Sequence, residues 1–186
     1  MNSEFDFEGF VETELKSSRL KIIPASENYC LDNLEKILSF INTNRNEYAA
    51  DYGWRQEAKE YILNPLQNKF KFSYVISNET DEICFLNFTS VYDKILHNHC
   101  TYTSSVYRNK GLAKLHMIKL CSNALNSGFE FQEGFWPVNN NRSLILFLQM
   151  GWQLDSIGKD TQVKMIADNK IVRQKAYELY HKTKLR

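Results

Sequence analysis

Between Lys71 and Val106 the chain carries three β-rich runs in succession, KFSYVIS, EICFLNFTSVY and NHCTYTSSV, separated by the polar turns NETD and DKILH. At RNKGLAKL the period then changes. Ala113, Met117, Leu120, Cys121 and Ala124 fall on one helical stripe, and Ser127-Gly128 ends the helix predicted from about Gly111 to Asn126. A sheet that feeds straight into an amphipathic helix needs that helix packed on one of its faces.

The rest of the chain extends this frame. RLKIIPAS reads as a strand ending in a turn. Leu31, Leu34, Ile37 and Leu38 mark a helix from Asn28 to Phe40, and RQEAKEYIL is a second one, stopped at Asn64-Pro65. After the central helix come a strand in FEFQEGFWPV and a short helix in NNNRSLILFLQMGW, which has a polar start and a glycine stop. WQLDSIG and TQVKMIAD pair as a closing hairpin, and a terminal helix begins at Lys170. The expectation is an α+β fold, with a mixed, mostly antiparallel central sheet of about six to seven strands and helices on both faces. Residues 1–18 are expected as a flexible arm. Residues 19–186 are expected as one domain that includes the C-terminal helix.

Composition narrows the partners. With 43% hydrophobic and 13% aromatic residues, the chain can bury a core. A formal charge of +1 argues against a dedicated nucleic-acid binder. Basic residues predominate from Lys159 onward, which reads as a solvated helix face. Cys30, Cys84, Cys100 and Cys121 are widely spaced without a CxxC pair, as for reduced, buried thiols. The acidic start MNSEFDFEGF lacks the pattern of a signal peptide, and no apolar run approaches a membrane span of ~20 residues. A cytoplasmic protein that meets neither nucleic acid nor membrane is expected, with a homodimer left open.

The strand-to-helix turn carries the chemistry. Helix-opening amides have no partners within the helix and sit at the positive end of its dipole, so they can hold a diphosphate. Gly111 allows close backbone approach, Ala113 keeps the first turn slim, and Arg108 and Lys110 add mobile positive charge. Asn109 and Leu112 complete the stretch.

The residues of RNKGLA match Gln/Arg-x-x-Gly-x-Gly/Ala at Arg108, Gly111 and Ala113, and the chain resembles the GNAT superfamily of acyl-CoA-dependent N-acetyltransferases. A second stretch with Asn140, Ser143, Phe147, Gly151 and Trp152 resembles the family's element after its fifth strand. The resemblance spans roughly residues 19–167. It implies acetyl-CoA as co-substrate, bound by the 108–113 turn together with Thr101, Thr103, Asn140 and Phe147. It also implies parted fourth and fifth strands, with the pantetheine arm pairing along the fourth strand around Thr101 to Ser105.

The reaction implied is attack by a primary amine on the acetyl thioester, which needs a base for the amine and a donor for the oxyanion. His97 and His99 share strand parity with Thr101 and Thr103, and Glu133 shares parity with Phe135. These three are the candidate catalytic groups. Many family members carry a tyrosine acid where Phe147 stands, so another group, or none, protonates the thiolate here. His-x-His at 97 and 99 also fits metal, but no third ligand lies nearby in sequence, and no metal is expected. The acceptor expected is a small-molecule amine such as an amino sugar, amino acid or polyamine. The alternatives are an acyltransferase fed by an acyl carrier protein and a non-catalytic acyl-CoA sensor.

Overall fold

The computed structural model describes residues 6–49, 59–64, 69–157 and 162–180. The elements run α1 (Phe7–Ser17), β1 (Leu20–Pro24), α2 (Glu27–Asp32), α3 (Leu34–Ala49), α4 (Lys59–Leu63), β2 (Tyr74–Asn78), β3 (Ile83–Tyr92) and β4 (Ile95–Thr103). A 3-10 turn (Ser105–Tyr107) leads to α5 (Leu112–Ser127), β5 (Phe131–Pro137), α6 (Asn141–Gln149), β6 (Gln153–Ile157), β7 (Gln162–Asp168) and α7 (Asn169–Tyr180). The strands form one seven-stranded sheet in the order β1-β2-β3-β4-β5-β7-β6, antiparallel throughout except for the parallel β4–β5 pair. This is the expected α+β class and strand count.

Each face of the sheet has its own core. On one face Leu15, Leu112, Leu115, Met117, Cys121, Phe147, Trp152, Val172 and Ala176 bring α1, α5, α6 and α7 together. On the other, Cys30, Leu34, Ile37, Ile41 and Ile62 lay α2, α3 and α4 over Val75, Leu86, Phe88 and Cys100. The four cysteines are buried and none is in a disulfide. Among the described residues, no helix is long and apolar enough to cross a membrane.

Two expectations are corrected. Residues 7–17 are not a flexible arm: Asp6 caps α1 by accepting from the Gly9 N–H at 2.8 Å, and Phe7, Val11 and Leu15 are buried. Burying such side chains stabilises by about 1.5–3 kcal/mol each, enough to dock a short helix. The stretch DKILH is not all turn. Fully buried Leu96 pulls Ile95 to His97 into β4 and leaves Asp93-Lys94 as the turn, with Asp93 at φ 50°. Of the expected helix 55–63, residues 55–58 lie outside the described residues.

Candidate active site

Strands β4 and β5 pair over a short distance only. Their ladder runs from Ile95↔Phe131 to Asn98↔Gly134. Beyond it β5 continues with β7 as far as Pro137↔Gln162, while β4 continues with β3 as far as Thr103↔Phe85. The two strands therefore part at Asn98 and Gly134. The chain then leaves β4 through the 3-10 turn and enters α5 at Gly111, whose φ of 101° lies in the left-handed region that favours glycine. Gly111 supplies no side-chain cap, so the first amides of α5 face outward at its positive end. Cleft and helix N-terminus are consecutive along β4 and α5.

The residues of this turn take distinct roles. Asn109 is exposed at φ 61°. Leu112 is buried in the α5 core, so its side chain is turned away from the turn's outer surface. Arg108 is not the mobile charge expected from sequence: its Nε donates to the Thr103 carbonyl at 3.2 Å and its Nη2 to Asn44 Oδ1 at 3.1 Å, tying the turn to α3. Lys110 lies with Nζ 4.8 Å from the centre of the Tyr107 ring. Asn140 caps α6, accepting from the Ser143 N–H at 3.3 Å. Phe147 is buried between Trp136 and Trp152, with ring centres at 4.4 Å and 4.9 Å.

Strand parity is corrected by a β-bulge. Phe88 pairs with Cys100 but Thr89 pairs with Asn98, which leaves His99 as the extra residue of β4. Downstream of the bulge the faces exchange. Thr101 Oγ1 lies 3.2 Å from Asn87 Oδ1 and 3.1 Å from Asn98 Oδ1, so Thr101 sits with Asn98 and not with the histidines. His99 instead meets Ser90, with Nε2 2.7 Å from Oγ, and packs edge-on to Tyr61 of α4.

All three candidate catalytic groups gather where the strands part. His97 and Glu133 are register partners, and Nδ1 of His97 lies 2.9 Å from Oε1 of Glu133. The His97 and His99 rings are 4.7 Å apart. Glu133 is almost fully buried and accepts two further bonds, from the Tyr92 hydroxyl and from Lys164 Nζ at 3.1 Å; Lys164 also reaches Asp155 at 3.5 Å. Burial pushes the Glu133 carboxyl up, but the donors Tyr92, His97 and Lys164 together outweigh it and hold the group below the usual carboxylate range. Lys164 is in turn held protonated by its bond to Glu133. Burial, then the neighbouring charges of His97 and Lys69, push His99 down to about 4, so it is neutral at pH 7. Tyr92, Lys164 and Asp155 had no signal in the sequence, since they come from other strands and only the register unites them.

An ionised carboxylate can only accept hydrogen bonds. His97 Nδ1 must therefore carry the proton shared with Glu133, so that in the neutral ring Nε2 is the acceptor. The arrangement can take a proton from a group placed above the strand junction. The outward amides at the start of α5 can hold an anion.

No family model matches the sequence, and no curated protein matches it. Solved structures do. The GNAT-family acetyltransferase from Staphylococcus aureus superposes with a TM-score of 0.66 at 10% identity, over 81% of this chain and 99% of that one. The paia N-acetyltransferase from Thermoplasma acidophilum, in complex with coenzyme A, gives 0.62 at 10% identity over 80% and 98%. Spermidine N-acetyltransferase from Vibrio cholerae, in complex with CoA and spermine, gives 0.62 at 13% identity over 83% and 98%. With nearly the whole of each of those proteins covered and a seven-stranded sheet flanked by helices on both faces, this chain has the fold of the GNAT N-acetyltransferases.

Proposed function

We propose that the protein is an N-acetyltransferase that moves an acetyl group from acetyl-CoA to the primary amine of a small molecule. The observation that carries this reading is the junction at Asn98 and Gly134, where a cleft leading from the α5 N-terminus ends beside a hydrogen-bonded His97–Glu133 pair. The α5 amides around Gly111 to Ala113 would hold the diphosphate, and the edge of β4 around Thr101 and Thr103 would align the pantetheine arm. When bound, the coenzyme supplies an activated acetyl thioester.

His97 is the base in this reading. Its Nε2 takes a proton from the attacking amine as the N–C bond forms and the C–S bond breaks. Glu133 is a positioning residue, which fixes the tautomer and stabilises the imidazolium. The same proton is then available to the thiolate, itself a fair leaving group with a thiol pKa near 8.5. No acid on α6 is needed, in keeping with the buried, hydroxyl-free ring of Phe147. That lack also supports a second reading, an acyl-CoA binder without turnover. The amine spermine, bound with CoA in the similar Vibrio cholerae structure, favours the amine acetylation reading.

The test has two steps. Thermal unfolding is measured with and without acetyl-CoA, and thiol release is then followed over a panel of amino sugars, amino acids and polyamines. Stabilisation together with amine-dependent release is the expected result. Stabilisation with no release on any amine would establish the sensor instead, and no stabilisation at millimolar acetyl-CoA would refute both.

A further inference from the structure

The donor cleft ends at Asn98 and Gly134, and what lies behind that point decides how long an acyl chain can be. In the plane of the sheet the way is shut, because the β4–β5 ladder continues back to Ile95↔Phe131. On the face covered by α2–α4, the junction is taken by His97 and Glu133, and the amine must approach from there. The remaining direction is toward α5 and α6.

Trp136 stands in that direction. It belongs to the core shared by α5 and α6, and its indole folds back along β5 onto Gly134. A methyl group placed on Gly134 would meet Trp136 Cη2 at 2.6 Å, Trp136 Cζ3 at 2.9 Å and the Asn98 carbonyl oxygen at 3.1 Å. The outer edge of the indole thus lies against the last residues of the cleft. It is held there by Phe147 at 4.4 Å and by Trp152, nearly perpendicular, at 5.3 Å between ring centres. Met150, Trp152 and Met165 of the same core are buried as well, so the indole belongs to a closely packed region.

We propose that Trp136 is a specificity-determining residue that limits the donor to a short acyl group, admitting acetyl and excluding longer chains. This rests on the acyl-CoA reading above. It also gives Gly134 a reason: any side chain there would displace the wall or close the cleft. Phe147 then serves as the brace of the wall.

The test needs no acceptor. Affinities of the full chain for CoA, acetyl-CoA, butyryl-CoA and hexanoyl-CoA are measured by calorimetry for wild type, Trp136→Leu and Trp136→Phe. Wild type should bind hexanoyl-CoA at least about tenfold more weakly than acetyl-CoA, the scale expected of a forced fit into packed side chains. Trp136→Leu should remove most of that difference while affinity for CoA itself stays unchanged. Trp136→Phe, the smaller change, should relax it in part and serves if the leucine variant fails to fold. Equal wild-type affinity for acetyl- and hexanoyl-CoA, or discrimination unchanged in the folded variants, would overturn the proposal. Failure of wild type to bind CoA at all would overturn the acyl-CoA reading instead, and it is distinguishable because it does not depend on chain length.

Discussion

His97 on β4 and Glu133 on β5 are partners in the one parallel ladder of the sheet, and Oε1 of the carboxylate receives the Nδ1 hydrogen of the imidazole at 2.9 Å. The pair sits one residue before the strands part. Tyr92 and Lys164 add two further donors to the carboxylate, so Glu133 is held in place beside the histidine.

That division of labour predicts unequal losses. His97→Gln should lower turnover by about 10²–10⁴-fold, the range for removal of a general base. Glu133→Gln should cost less, about 10²-fold or under, because the imidazole remains but is no longer held in place. Affinity for CoA should stay within about twofold in both, since neither side chain lies on the α5 cradle. Steady-state thiol release and calorimetry on the same variants check this. Full turnover in His97→Gln would move the base elsewhere.

Gly111→Glu should abolish CoA binding, for two separate reasons. At φ 101° a side chain strains the backbone by roughly 1–3 kcal/mol, and the new carboxylate faces the amides that would hold the diphosphate. Gly111→Ala separates the two, because it keeps the strain without the charge. Calorimetric affinity should fall modestly for alanine and beyond detection for glutamate.

Phe147→Tyr adds the hydroxyl that the sequence resemblance leads one to expect at this point, yet it should not raise turnover. The ring is buried between Trp136 and Trp152, so a hydroxyl added to it enters a packed aromatic core. A buried hydroxyl without a partner costs about 1–3 kcal/mol. Chemical denaturation should show that loss, and a rate increase would put the ring closer to the leaving thiol than the structure does.

His116 should make stability fall as pH drops. The residue is fully buried on α5, with Nδ1 2.7 Å from the Tyr74 hydroxyl, and burial pushes its pKa down to about 3. In the unfolded chain the imidazole titrates near 6.5, so between those values the unfolded state binds the extra proton. Stability contributed here is complete above about pH 6.5 and is lost toward pH 3, by up to about 1.4 kcal/mol per pH unit. The double variant Tyr74→Phe, His116→Leu should flatten that limb in urea titrations at successive pH values.

Much of the frame was legible because it is written locally. A glycine that must take a left-handed φ, an N-terminal turn without a side-chain cap and an apolar stripe on the following helix are all properties of neighbours in sequence, and they placed the β4–α5 turn. Alternation identified the strands for the same reason. It failed at His99 because one inserted residue in β4 leaves the apolar pattern readable while turning every later side chain to the opposite face. Arg108 was misread as mobile because its partner Asn44 lies on a distant helix, joined to it only by packing.

The sequence by itself determined the class of fold, the order of its strands and the glycine-led turn into α5, because short-range sterics and periodicity decide such features. Only the tertiary structure decided which face His97 takes, that Glu133 is held ionised by three donors, and that Trp136 is braced against Gly134. Those outcomes depend on strand register and on burial among residues dozens of positions apart, and no local pattern encodes either one.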